Sequence, residues 1–344
     1  LSSNNFMVSD FLTDAVTETE NATETGQLKI PAFLDCKFYA NAKSVTYDNI
    51  NLKNVSGTIY VKDQAVKLQD IKSEVFGGNI GFTGRVSTKE KTSKFSMDLN
   101  LKELNIAESF GTLDMLQSIA PIAKTIEGKI NSTVTVSGDL NEDLTPDLKT
   151  ISGKLLGQLL NTKLKPSNSK ALTLLGDKAS FLDVNKLNLD KVTGFFSFDN
   201  GVVTVKPIPL QYEDIGMKIG GTHGFDNAMK YDLTFDIPVK YLGADITTLI
   251  ATLSPKDAAN IKTIPVKANL TGSFSNPNFS TNMKDATANL IKDLVEKQKL
   301  GLLEKSKNKL TNLLSGNAKK DSTKTNKSDE VKSLLNGLFK KKKN

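Results

Sequence analysis

The chain has 344 residues, with 45 Lys or Arg against 38 Asp or Glu, and it contains one cysteine, one histidine and no tryptophan. These counts exclude an internal disulfide and a zinc site with four cysteine or histidine ligands. Most of the net charge of +7 comes from a lysine-rich end, so the nearly neutral body lacks the basic surface of a nucleic-acid-binding domain, and we expect no nucleic-acid partner.

The first residues differ in composition from those that follow. Residues 1–27 are interpreted as a fragment start and an acidic linker, because residues 13–27 are rich in Thr and Glu and poor in large apolar side chains. The chain opens at Leu1 without Met, so we expect it to be a piece of a longer protein. Residues 28–140 then alternate apolar and polar side chains between turn signals, which predicts a first β-meander repeat. Apolar spacing of three and four residues predicts a helix insertion at 106–127, which Pro121 divides.

An internal repeat is the strongest signal in the sequence. Residues 51–57 (NLKNVSG) match residues 188–194 (NLDKVTG) at an offset of 137, and apolar residues keep matching at alternate positions through the strands that follow. We predict a connecting segment at 141–181 with the start of a strand and a short helix. A second β-meander repeat follows at 182–284, with a helix insertion at 246–260. Residues 285–344 are predicted to form an amphipathic helix and a basic, partly disordered tail.

The predicted fold class is mainly β. The repeated antiparallel meander forms a long curved or twisted sheet or groove, with short inserted helices and a C-terminal amphipathic helix. One face of such a sheet is apolar, and the predicted helices are too few and too short to cover it. A continuous apolar trough can shelter an acyl chain, whose exposure to water costs about 0.8 kcal/mol per CH₂ group.

The alternation assigns particular side chains to this apolar face. The residues predicted to line a lipid groove are Val55, Ile59, Val61, Phe82, Val192, Phe196, Phe198, Ile219, Leu233 and Phe235. The repeat alignment further predicts that Ile59 and Phe196 share one face of the sheet, and that Phe82 and Ile219 do so as well.

A second predicted site lies in the C-terminal tail. An amphipathic segment that ends in a lysine run is suited to an anionic membrane surface. The membrane-surface candidates are Leu334, Leu335, Leu338, Phe339, Lys340, Lys341, Lys342 and Lys343. For the helix predicted at 285–314, the sequence leaves two roles open: covering an exposed sheet edge or binding a membrane.

The sequence offers few groups for catalysis. A Ser-His-Asp triad or a histidine base would need His223, which we interpret instead as an exposed residue at a turn or strand end. The glycine-rich segments at 76–79 and 219–224 lack the Lys-Ser/Thr ending of a phosphate loop and fit hairpin turns. We therefore expect no enzymatic activity, no metal and no cofactor. An enzyme on a β scaffold ranks third, after the two non-enzymatic functions given below.

Four segments, taken together, resemble the C-terminal region of the AsmA-like proteins of Gram-negative bacteria. Residues 192–205 (VTGFFSFDNGVVTV) are similar to the family's hairpin, and residues 219–226 (IGGTHGFD) to its strand and turn. Residues 264–279 (IPVKANLTGSFSNPNF) resemble its closing strand and Asn-Pro turn, and residues 76–84 (FGGNIGFTG) its glycine-rich strand pair. The resemblance extends over roughly residues 45–290.

The resemblance implies a function and a location. It implies a non-enzymatic periplasmic β-groove protein in outer-membrane biogenesis that binds or transfers phospholipid between the inner and outer membranes. It also implies anchorage to the inner membrane by an N-terminal helix absent from this fragment. The expected partners are a phospholipid or other acyl lipid, a membrane surface and envelope proteins. The alternative hypothesis is an assembly or chaperone factor for outer-membrane proteins, whose sheet edge or groove holds a client strand.

Overall fold

The computed structural model describes residues 2–7, 29–47, 49–179 and 181–314. Within these residues, 14 strands form one sheet whose spatial order follows the chain order. Strands β2 to β11 pair antiparallel in succession, as do β13 and β14, whereas β1 lies parallel to β2. The prediction of a mainly β fold, built from a long meander with short helices and a C-terminal helix, is confirmed.

The strands and helices have the following bounds. The strands are β1 (Ser2–Met7), β2 (Cys36–Tyr47), β3 (Ile50–Lys62), β4 (Ala65–Val75), β5 (Gly78–Ser87), β6 (Ser93–Asn105), β7 (Ile126–Leu140), β8 (Ser152–Leu164), β9 (Thr193–Asp199), β10 (Val202–Tyr212), β11 (Ile215–Gly224), β12 (Ala228–Pro238), β13 (Thr263–Ser273) and β14 (Pro277–Thr281). The α-helices are α1 (Ile106–Thr112), α2 (Asp114–Ile119), α3 (Lys170–Lys178), α4 (Ala244–Ala251), α5 (Pro255–Ala259) and α6 (Met283–Leu314).

The internal repeat is present in the backbone as well as in the sequence. Strands β4 and β10 begin and end 137 residues apart, and so do β5 and β11. A β-bulge lies between Leu68 and Ile71 in the first copy and between Val205 and Ile208 in the second, which is the same offset. Left-handed residues recur at this offset too, in the pairs Asn54 and Lys191, Asp63 and Asn200, Gln64 and Gly201, and Phe76 and Glu213. The two copies therefore share their bulge and hairpin turns in addition to their apolar pattern.

Cross-strand neighbours place the apolar side chains on one face of the sheet. A row of directly opposed residues crosses ten strands, from β2 to β11: Phe38, Ile59, Leu68, Gly84, Met97, Val136, Gly153, Phe198, Val203 and His223. A second row, from β4 to β11, contains Ile71, Phe82, Leu99, Val134, Leu155, Phe196, Val205 and Gly221. Opposed residues share a face, and residues two apart on a strand do so as well. The predictions that Ile59 shares a face with Phe196, and Phe82 with Ile219, are confirmed.

The opposite face of the same strands is polar. One row of directly opposed residues on this face contains Thr83, Asp98, Thr135, Lys154, Ser197, Thr204 and Thr222. A shallow recess of about 550 Å³ also lies there, among Asn100, Asn131, Thr133 and Gln158. We refer below to the apolar face and the polar face in this sense.

The insertion between β6 and β7 packs on the apolar face. Asn105 caps α1 by accepting a hydrogen bond from the backbone N–H of Glu108, and Pro121 starts a short 3₁₀ helix (Pro121–Thr125) after α2. Ile106 and Ile119 are fully buried in the same cluster as Phe198 of β9. Of the predicted insertion at 106–127, residues 106–125 are helical except at Leu113 and Ala120, and Pro121 starts the last of the three helical segments.

The chain divides into two compact units, which differ from the predicted domains. One contains Leu1–Phe235 and Lys267–Thr281, and the other contains Asp236–Val266 and Asn282–Asn344. The segment predicted as a connection, 141–181, contains the complete strand β8, which pairs with both β7 and β9. Because this strand makes the sheet continuous, the chain does not separate between the repeats. The predicted start and linker at 1–27 likewise contains strand β1, and residues 8–28 lie outside the described residues.

Candidate functional site

Four of the predicted groove residues belong to the core of the protein. Phe198, Leu233 and Phe235 are 2%, 3% and 1% exposed, and Val55 is 8% exposed. The ring of Phe198 lies against Gly153 on the neighbouring strand, and Phe235 meets Phe181 edge to face with 5.2 Å between ring centroids. Alternation identified their face correctly, but it could not show that other parts of the chain cover them. We correct their assignment from groove lining to core.

Val192 is also placed differently from the prediction. It precedes β9, and its carbonyl oxygen accepts a hydrogen bond from the backbone N–H of Leu159. Its own N–H donates to the carbonyl of Leu189, so the residue sits in a turn that leads into the strand. Val192 therefore corresponds to Val55 in the repeat alignment, but Val55 lies within β3 whereas β9 begins only after Val192.

The other five predicted residues, Ile59, Val61, Phe82, Phe196 and Ile219, are partly exposed on the apolar face. Three of them lie on β3 and β5, where Phe38 of β2 is 36% exposed and Leu68 of β4 is partly exposed. We call Phe38, Ile59, Val61, Leu68 and Phe82 the open apolar segment. Ile59, Leu68 and Phe82 pack on a small cluster formed by Ala42, Val55 and Ile71.

The α1–α2 insertion packs on the apolar face of β6–β10. The buried cluster there joins Leu104, Val134, Leu155, Phe198 and Val203 of the strands to Ile106, Phe110, Leu116 and Ile119 of the helices. One apolar row thus continues from partly exposed positions on β2–β4 to buried positions on β7, β9 and β10. With strands about 4.8 Å apart, the ten strands of this row extend for about 43 Å.

Small and large side chains adjoin along the apolar row. A Cβ placed on Gly84 would lie 3.1 Å from the Met97 side chain, and one placed on Gly153 would lie 2.8 Å from the Phe198 ring. The large side chain of one strand therefore fills the space above the glycine of its neighbour. This packing keeps the apolar face continuous across the strands.

His223 connects the insertion to β11 and is not exposed, contrary to our interpretation of the sequence. It is 2% exposed, with its Nε2 atom 3.1 Å from the carbonyl oxygen of Ser118 and its Nδ1 atom 2.9 Å from the Tyr231 hydroxyl. A carbonyl oxygen only accepts, so Nε2 carries the proton and Nδ1 accepts from the hydroxyl. The ring of Phe274 meets the imidazole edge to face at 5.5 Å. Both ring nitrogens are thus occupied by protein atoms inside the core.

Burial changes the titration of both polar groups in this contact. Loss of hydration lowers the pKa of His223, although the nearby Ser118 and Ile119 carbonyls oppose this change. Burial raises the pKa of the Tyr231 hydroxyl. At neutral pH both groups are therefore uncharged, as the apolar surroundings require. A histidine at an alternating apolar position was the available sequence signal for this burial.

The predicted membrane-surface residues Leu334, Leu335, Leu338, Phe339 and Lys340–Lys343 lie outside the described residues. In the helix before them, Leu294 is buried and Ile291 is 38% exposed, while Leu300, Leu302 and Leu303 are more than half exposed. No described helix combines the length and apolarity needed to cross a bilayer. Within the described residues, acidic, histidine and cysteine side chains do not gather into a group of three that could hold a metal ion.

Comparison with protein-family models, with curated proteins and with solved structures gives no match to this chain.

Proposed function

We propose that this chain is a non-enzymatic lipid-binding protein whose sheet holds acyl chains along its apolar face. The observation that carries the proposal is the row of apolar and glycine positions that crosses the strands from Phe38 to Val203 and is partly exposed on β2–β4. The partly exposed part of the apolar face, from Phe38 on β2 to Phe82 on β5, crosses four strands and is about 14 Å long.

The free energy available at the open apolar segment is sufficient for a lipid chain. Each CH₂ group removed from water contributes about 0.8 kcal/mol, so ten buried groups contribute about 8 kcal/mol before ordering costs. The segment has aliphatic and aromatic side chains on four adjacent strands and needs no specific polar contact along the chain. Such a surface binds an apolar chain in proportion to the area that the chain buries, and it does not determine which headgroup the lipid carries.

The resemblance to the AsmA-like proteins supports a more specific version of this proposal. In that version the protein resides in the periplasm, is anchored to the inner membrane by a segment outside this chain, and transfers phospholipid between the inner and outer membranes. The duplicated meander supports it as well, because a sheet that grows by repeated units lengthens its apolar face with each copy.

Mass spectrometry of lipid extracted from the purified chain tests the proposal. Ile59→Asp and Phe82→Asp place a charge on the open apolar segment, and Thr58→Asp and Thr83→Asp are matched controls on the same strands but on the polar face. We expect at least about a ten-fold loss of bound phospholipid in the first pair and little change in the controls. Purified chain without lipid, or equal lipid in all four variants, would contradict the proposal.

A further inference from the structure

A row of basic and aromatic side chains crosses the polar face where β2 begins. Lys37 of β2 lies opposite Tyr60 of β3, Tyr60 opposite Lys67 of β4, and Lys67 opposite Arg85 of β5. Arg85 is the only arginine in the 344 residues. We call Lys37, Tyr60, Lys67 and Arg85 the basic corner.

The cations of the basic corner are exposed. Lys37 Nζ lies 4.9 Å from the centroid of the Tyr39 ring and 5.1 Å from that of Tyr60, and Lys67 Nζ lies 5.9 Å from that of Tyr60. Within the described ranges, none of Lys37, Lys67 and Arg85 takes part in an ion pair. The aromatic rings fix two ammonium groups over the face without neutralising them.

The chain before β2 adds an exposed aromatic side chain at the same end of the strands. Lys62, at the β3–β4 turn, pairs with Asp35 at 2.6 Å, and Lys29 donates to the carbonyl of Glu90 at the β5–β6 turn. These contacts place residues 29–35 along the turns that border the basic corner. Phe33 in this segment is 85% exposed, and Tyr39 of β2 is 68% exposed.

Charge in this region is predominantly positive. Lys62 is matched by Asp35, and Lys94 by Glu90, at the turns. Besides the basic corner, Lys29, Lys89 and Lys91 are exposed there, with Asp63 as the acidic residue of the β3–β4 turn. Exposed aromatic rings beside unpaired cations suit the interface of an anionic bilayer, where rings enter the headgroup layer and cations meet lipid phosphates.

We propose that the basic corner, together with Phe33 and Tyr39, docks the N-terminal end of the sheet onto a membrane surface containing anionic phospholipid. This goes beyond acyl-chain binding and rests on different residues. It also indicates the end of the sheet at which a lipid reaches the apolar row, because Phe38, the first residue of that row, lies on the opposite face of the same strand. Docking here brings the open apolar segment next to the bilayer.

A single tryptophan reports on this contact because the chain has none of its own. Phe33→Trp places the probe beside the basic corner, and Leu156→Trp, at a site 46% exposed on β8, is the matched probe away from it. Full-length protein is titrated with vesicles of phosphatidylcholine, with or without phosphatidylglycerol. We expect only the probe at residue 33 to shift to shorter wavelength, only with the anionic vesicles, and to lose the shift at about 0.5 M salt.

Charge variants test whether these cations cause the shift. Lys37→Gln, Lys67→Gln and Arg85→Gln together should raise the vesicle concentration at half-shift at least about ten-fold. The matched triple Lys72→Gln, Lys102→Gln and Lys154→Gln removes the same charge from exposed positions elsewhere and should change it less than about two-fold.

Three outcomes would overturn the docking proposal. They are a probe at residue 33 that ignores anionic vesicles, equal weakening by the two triple variants, and an equal shift with double-stranded DNA. The lipid content of the first triple variant separates the two proposals. Normal bound lipid with lost docking in that variant leaves lipid binding intact, while wild-type protein that docks but contains no bound lipid refutes lipid binding alone.

Discussion

The carbonyl oxygen of Ser118 in α2 accepts a hydrogen bond of 3.1 Å from Nε2 of His223 in β11. The two residues are 105 positions apart in sequence. The insertion lies in the chain between β6 and β7, and β11 is four strands away from β7 in the sheet. The insertion therefore lies across the apolar face and is held at its far end by a buried polar contact.

Stability should fall with acid in a way that depends on His223. Because burial lowers its pKa in the folded state, the unfolded state binds the proton more readily. The contribution of neutral His223 is complete above its unfolded pKa of about 6.5 and is lost progressively as the pH falls below that value toward the lower folded pKa. Urea unfolding between pH 8 and pH 5 measures this loss against the variant His223→Val, which carries the residue type of the matching position, Val86.

We expect the difference in unfolding free energy between the wild type and His223→Val to become smaller as the pH falls. At pH 8, His223→Val should be less stable by about 1–3 kcal/mol, because the Ser118 carbonyl and Tyr231 hydroxyl lose their partner. As the pH falls, the wild type should lose stability faster than the variant. A constant gap from pH 8 to pH 5 would show that the pKa of His223 is the same in the folded and unfolded states.

Glycine at position 153 is expected to be essential for the packing of β8. A Cβ there would lie 2.0 Å from the Thr135 carbonyl oxygen and 2.8 Å from the Phe198 ring, and backbone cannot move as a side chain can. Gly153→Ala should therefore cost about 3 kcal/mol of unfolding free energy. Gly111→Ala is the control, because no atom lies within 4 Å of its Cβ, and alanine in a helix should add about 0.5–1 kcal/mol. Chemical denaturation of both variants measures the difference.

The repeat predicts that exchanging the residues at two equivalent hairpin-turn positions changes the stability in opposite directions. Gln64 and Gly201 occupy equivalent positions 137 residues apart, with φ of 56° and 77°. Glutamine is strained in this left-handed region and glycine is not. Gln64→Gly should raise the free energy of unfolding by about 1 kcal/mol, and Gly201→Gln should lower it by a similar amount. The double variant should then unfold near the wild type, whereas a loss in both single variants would show that the two turns are not equivalent.

The sequence predicted most of the fold because its signals are local and duplicated. Alternation gave the common face of Ile59 and Phe196, and the spacing of apolar residues gave the helical insertion. It did not give the exposure of each side chain, which depends on what lies above the face. Phe196 and Phe198 are equivalent by alternation, yet Phe198 is 2% exposed because the insertion and Gly153 leave it a closed position. Likewise, the polarity of His223 suggested exposure, and only the distant Ser118 and Tyr231 explain its burial.

Strand β1 and the basic corner likewise could not be predicted from the sequence, because both depend on pairing between strands. Residues 2–7 have no strong alternation, and they form a strand because β2 offers a free edge. Lys37, Lys67 and Arg85 are 18 or more residues apart in sequence, and only the register of four strands brings them into one row.

Aspartate substitutions along the apolar row should separate core from open surface. Phe198→Asp buries an unpaired charge at a position that is 2% exposed, so we expect it to abolish cooperative unfolding. Ile59→Asp, at a partly exposed position in the same row, can hydrate its carboxylate and should cost about 1–2 kcal/mol while keeping the far-ultraviolet circular dichroism spectrum. Thermal melts followed by circular dichroism compare the two. If both variants unfolded alike, β2–β5 would be as covered as β9, and the open apolar segment would not exist.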